Sequence, residues 1–156
     1  MSEHKNDIPL PILIALQEET VDWNNLLAGV LELFDCSTGT LHFLDENKLL
    51  QLQAQIGIPA FLIPKLTTIP IGKGMAGIAA ERLKPVEMCN LQTDASGVAR
   101  ASAKDTKVEG SLASPLLFQD TLYGTIGIAK PVPYEFTAAE IQMLLKIGEA
   151  ISQKLA

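Results

Sequence analysis

Cysteine is scarce in this chain: Cys36 and Cys89 are the only two among 156 residues. Two thiols make neither a disulfide framework nor a metal ribbon, and the pair fits a reducing cytosol. Basic charge is short as well, with 12 Lys and Arg against 18 Asp and Glu and a formal net charge of −6. Nucleic-acid and anionic-membrane faces need clustered Lys and Arg, so this balance argues against both as partners. Histidine is limited to His4 and His42, and no cluster of His, Cys and acids has metal-ligand spacing, so no metal is expected. Long apolar runs are missing too. The run from Ile8 to Leu16 is interrupted by Pro9 and Pro11 and is framed by no charged n-region or cleavage site. It reads neither as a signal peptide nor as a membrane span, and a soluble cytoplasmic protein is expected. Internal repeats, low-complexity tracts and interdomain linkers are likewise absent from the sequence.

What is present is an ordinary globular composition, 47% apolar and 19% charged, at a length that suits one domain with a genuine core. Residues 1–19 read as a tail and a short helix over 11–20, and residues 20–156 as the domain. Trp23, Leu26, Leu27, Val30, Leu31 and Phe34 share one face of an amphipathic helix over 22–34. Leu41 and Phe43 alternate with Thr40 and His42. Beyond the polar turn Asp45-Glu46-Asn47, Leu50, Leu52, Ala54 and Ile56 alternate with glutamines. Two such period-2 runs predict an antiparallel hairpin. A helical turn is expected over 61–66, an extended segment over 67–71 where Pro70 disfavours helix, a short helix over 75–82 and a strand over 86–91. Residues 94–109 read as a loop, and 111–118 with 122–130 as a second hairpin. Thr137 followed by Glu140 is a capping box opening a terminal helix that runs to Leu155. Helix, hairpin, insert, strand, loop, hairpin, helix is the order of an antiparallel sheet flanked by helices, hence α+β.

Gly72-Lys73-Gly74-Met75-Ala76-Gly77 matches G-x-G-x-x-G, and Asp94 lies 20 positions past Gly74. A dinucleotide loop needs a βαβ unit around that fingerprint. The neighbouring strands instead alternate and pair as hairpins, whereas a buried parallel sheet shows continuous apolar runs. The spacing also fails the Walker A pattern. A structural turn is the better reading of these glycines.

The alternation sorts the strands into two faces. Leu41, Phe43, Leu112, Leu116, Ile126 and Ile128 form a bulky face, expected to pack on the first and last helices. Thr38, Thr40, His42, Ser111, Ala113, Thr125, Gly127 and Ala129 form the other, on which every member except His42 is small. Such a face cannot fill its own space, so the 75–82 helix and the 94–109 loop, or a ligand between them, must cover it. The candidate ligand contacts are these eight residues, with Met75 from the covering helix and Arg100 from the loop. Arg100, Lys104 and Lys107 are placed to receive an anion, unless the loop is simply solvated. His42 is either a ligand contact or a satisfied structural residue.

The set Ile69-Pro70-Ile71-Gly72-Lys73-Gly74, Gly77-Ile78-Ala79 and Lys84-Pro85-Val86 resembles the central signature of the GAF family of small sensory domains. Ser114-Pro115-Leu116, Leu122-Tyr123-Gly124 and Phe136-Thr137 with Glu140 extend the resemblance over most of the chain from about residue 20. It implies a GAF/PAS-like sheet of five or six strands with the N- and C-terminal helices packed on one face. It also implies a ligand cavity on the small-residue face under the helix that the glycines introduce. The expected function is a non-catalytic sensory or regulatory domain in signal transduction, with an unidentified small molecule as ligand and no cofactor specified. A homodimer through the terminal helices is expected. No output domain follows the last helix, so output is expected through a protein partner. The alternatives are a free methionine-R-sulfoxide reductase and a ligand-free dimerisation scaffold. The reductase branch places cysteines in the helix after the glycines and in the following loop, where this chain has Met75-Ala76 and no cysteine in 94–109. It also has acids where this chain has Ser111, Gly127 and Ala129. Both cysteines read as small buried residues. The cyclic-nucleotide motif is incomplete, since Ala129 replaces its Asn and Ile141 its second acid. The remaining Lys130 and Glu140 are expected to form an ion pair joining last strand to last helix. Bilin attachment lacks a suitably placed thiol.

Overall fold

The computed structural model describes residues 7–90, 92 and 108–156. Arg100 and most of the 94–109 loop lie outside the described residues. The elements run α1 (Leu10–Gln17), α2 (Trp23–Phe34), β1 (Thr38–Leu44), β2 (Leu49–Ile56), a 3-10 turn (Ala60–Leu62), α3 (Ile63–Leu66), β3 (Thr68–Pro70), α4 (Gly74–Arg82), β4 (Val86–Met88), β5 (Gly110–Phe118), β6 (Thr121–Lys130) and α5 (Ala138–Leu155). The strands form one six-stranded sheet in the order β3-β2-β1-β6-β5-β4, and every ladder is antiparallel. The α+β expectation holds, and no βαβ crossover surrounds the glycine fingerprint.

Local chemistry sets the boundaries. Asp22 Oδ1 accepts from Asn25 N at 3.1 Å and starts α2, which is what an N-cap carboxylate supplies. α2 ends at Asp35 in the left-handed region, with Cys36 N donating to Leu31 O at 2.9 Å. At α5 the capping box forms in both directions: Glu140 N donates to Thr137 Oγ1 at 3.1 Å, and Thr137 N to Glu140 Oε1 at 2.8 Å. The β5–β6 hairpin turns through Gln119 and Asp120, both at positive φ (+52° and +63°), as a two-residue type I′ turn demands. α1 begins one residue before the expected helix and stops at Gln17. β4 is half the expected length and ends at Met88, leaving Cys89 exposed rather than buried.

The core lies between the bulky sheet face and α1, α2 and α5. Leu41, Leu112, Leu116, Ile126 and Ile128 pack there against Leu27, Val30, Leu144, Ile147 and Ile151, with Ile12 and Leu16 of α1 in the same cluster. Trp23 meets the edge of Phe43 at 5.1 Å between ring centroids. Each such side chain contributes about 1.5–3 kcal/mol by leaving water.

Two arrangements differ from the sequence reading. The β1–β2 ladder shifts register between Leu41 and His42, so that Leu41 pairs with Ala54 but His42 with Leu52. The bulge turns β2 over. Leu50 joins Ile69 and Ala80 on the α4 side, while Ala54 and Ile56 belong to the terminal-helix core. Unbroken alternation had put all four apolar residues of β2 together. The second difference is Lys130. It makes no ion pair with Glu140; its Nζ donates to Phe34 O at 2.7 Å and Asp35 O at 3.0 Å and lies 4.5 Å from the centre of the Tyr134 ring. The ammonium thus satisfies carbonyls that the end of α2 leaves without helical partners, at the pole where a cation is favoured. Glu140 is taken up by the capping box and by Tyr134, whose hydroxyl donates to Oε1 at 2.7 Å.

Candidate functional site

α4 crosses the small-residue face of the sheet, and its own contact residues are small. Gly77, Ala79 and Ala80 are buried. Ala79 packs with Ala113 and Val86, and Ala80 with Leu50 and Ile69. Small residues on both surfaces bring helix and sheet close along β5 without filling the ground over β1 and β6. A cavity of about 130 Å³ remains there. A single water needs roughly 10–15 Å³ of such space, so the void is large enough for a compact molecule.

The glycine question is settled by where the backbone groups point. Gly72 takes φ +91°. Its N–H donates to Gly77 O at 2.8 Å, and Gly77 N donates to Lys73 O at 3.1 Å. A Cβ on Gly77 would stand 2.5 Å from Pro70 O, so only glycine lets α4 start this close to β3. The Gly72 amide is spent inside the turn, and the fingerprint stands between antiparallel strands rather than in the βαβ unit a dinucleotide loop requires. The glycines seat the covering helix.

Eight of the ten predicted contacts are brought together in the cavity wall: Thr38, Thr40, His42, Met75, Ser111, Ala113, Gly127 and Ala129. Thr125 shares their face, opposite His42 in the β1–β6 register, and is buried but outside the wall. Arg100 lies outside the described residues. Sequence reasoning missed the far side of the wall. Ile58 and Leu66 come from the connection between β2 and β3, Ile69 from β3, Ala76 from α4, and Val108 from the approach to β5. The available signal was an apolar surplus in the 58–66 connection that no strand alternation explained.

His42 is 1% exposed. Its Nε2 lies 2.8 Å from Leu66 O; a carbonyl only accepts, so Nε2 carries the proton and donates. Burial holds the imidazole below its ordinary pKa, with the Leu66 bond pulling the other way. The ring is therefore neutral near pH 7 and braces the β2–β3 connection against β1. Its Nδ1, and the hydroxyls of Ser111 and Thr125, are buried without hydrogen-bond partners among the described residues.

Neither cysteine belongs to the cavity wall. Cys36 packs against the terminal-helix core, and burial pushes its thiol up to about 11 despite the opposing pull of Lys130. A protonated thiol is a poor nucleophile. Among the described residues no group of three His, Cys, Asp or Glu could hold a metal, and no helix is long and apolar enough to cross a membrane.

Against known proteins, a family model described as GAF domain matches residues 24–156. The GAF domain of a phosphoenolpyruvate-protein phosphotransferase from Coxiella burnetii has a similar structure, with a TM-score of 0.73 at 17% identity, covering 99% of this chain and 87% of that one. Free methionine-R-sulfoxide reductase from Neisseria meningitidis, solved with its substrate, gives 0.76 at 18% identity over 94% and 84%. A domain of a putative two-component sensor histidine kinase from Sinorhizobium meliloti gives 0.64 at 15% identity over 83% and 85%. At such identities the likeness shows the fold. No curated protein matches the sequence.

Proposed function

Since the chain belongs to the GAF domain family, whose members are commonly sensory or regulatory parts of signalling proteins, we propose that it is a non-catalytic, cytoplasmic sensory domain that binds a small molecule in the cavity beneath α4. The observation that carries this reading is the cavity itself, bounded by the small-residue sheet face, α4 and the β2–β3 connection. The fold is shared by domains of signalling proteins and by reductases alike, so the choice between them rests on this chain's residues. Neither thiol stands at the cavity, Cys36 is held protonated, and Met75-Ala76 occupies the start of α4. These features support binding without turnover. Output passes through contact with a protein partner or with a second copy, for which the terminal helices α1 and α5 are the proposed surface.

Native mass spectrometry of freshly purified protein tests the reading. A small molecule retained by the wild-type chain and lost from Ala113→Phe, which grows into the cavity, is the expected result. Turnover of free methionine sulfoxide that disappears in a Cys36→Ala/Cys89→Ala double variant would overturn it in favour of the reductase.

A further inference from the structure

The polar side-chain atoms on the described cavity wall are almost all engaged or turned away. His42 Nε2 is spent on Leu66 O, while His42 Nδ1 and Ser111 Oγ are buried with no surface left to offer an occupant. Thr38 Oγ1 is 3.5 Å from Ser37 Oγ. Thr40 keeps a half-buried hydroxyl, and Lys73, the one charged residue among the described wall residues, is exposed. Exposed lysines keep their ammonium in solvent. What faces the space is hydrocarbon and thioether from Ile58, Leu66, Ile69, Met75, Ala113 and the backbone-flanked Gly127.

From this lining, and resting on the proposal that the cavity binds a small molecule, we infer that its ligand class is an uncharged, predominantly apolar compound about the size of a single six-membered ring. Two magnitudes carry the choice. An apolar cavity of about 150 Å³ stays dry and takes benzene or xenon, and the volume here is about 130 Å³. Burying an anion costs far more than burying the ring gains where, as among the described wall residues, no buried cationic side chain meets it. A nucleotide exceeds a space of about 130 Å³. Met75 and Ile69 supply the adaptable contact surface, as a flexible thioether does in irregular apolar gaps.

Methyl NMR on the full chain, titrated separately with benzene, phenol and benzoate, tests this. Benzene is expected to shift the Met75 and Ile69 methyls saturably. Benzoate is expected to bind at least about a hundredfold more weakly, because no buried cationic side chain among the described wall residues meets its charge. Ala113→Phe and, independently, Ala76→Leu abolish the benzene response. Tighter binding of benzoate, or phenol binding that exceeds benzene and is lost in Thr40→Val, would overturn the apolar class while leaving the cavity as a binding site. Failure of all three probes to move either methyl would overturn the apolar-ring class, while native mass spectrometry decides separately whether the cavity binds a small molecule.

Discussion

His42 is the residue on which sequence and structure meet most closely. Its side of the sheet could be read from alternation alone, together with six other residues of the cavity wall. Its partner could not, because Leu66 O reaches it from 24 positions away through a connection without a periodic pattern. The bond makes the ring a neutral brace, with a consequence for pH. Above the ordinary histidine value of 6.5, folded and unfolded chains both carry a neutral ring. Below it the unfolded chain takes up a proton that the folded chain refuses. Stability therefore falls as pH drops below about 6.5, by at most about 1.4 kcal/mol per pH unit from this site, until the depressed folded pKa is reached. Urea unfolding of wild type and His42→Gln between pH 7 and 5.5 checks it: the slope in this window is smaller in the variant, and equal slopes would contradict the account. The cysteines behave oppositely to each other. Exposed Cys89 reacts with a thiol reagent at pH 7.5, while Cys36, with its pKa near 11, stays protected in the folded chain. Two thiols reacting equally fast would contradict that contrast.

Among the elements, helices with chemical stop signals were legible, and the ends of strands were not. The α5 capping box could be read from Thr137 and Glu140 and forms as written. The glycine turn could be excluded as a nucleotide loop because its neighbours alternate, and the antiparallel ladders bear this out. β2 shows the limit. A bulge carries no fixed residue signature, yet one extra residue sends Leu50 to the α4 side and Ala54 to the opposite core. Lys130 shows another. Spacing suggested Glu140 as its partner, but the end of α2 offers two carbonyls that are costly to leave unmet. Lys130→Met should cost about 1–3 kcal/mol in chemical denaturation, because Phe34 O and Asp35 O lose their donor. Glu140→Gln, which retains an acceptor for Thr137 N and Tyr134, should cost less. The reverse order would restore the ion pair as the joint between β6 and α5.

On the scale of the whole molecule, one sheet separates two environments. The bulky face builds a dense core with α1, α2 and α5, and the small face leaves an opening under α4. Outside the core, α1 keeps Leu10 and Ile14 exposed, at 66% and 50%, and the dimer proposed through the terminal helices uses this strip. Light scattering should give twice the chain mass for wild type and the single mass for Leu10→Glu/Ile14→Glu; a monomer at high concentration in wild type would remove the dimer from the account. The separation of environments itself rests on the opening being real. A crystal structure under xenon pressure measures it most directly. A xenon peak enclosed by Ile69, Met75, Ala113 and Gly127 beneath α4 is the predicted result, and protein side chains packed into that space with no xenon bound would contradict it.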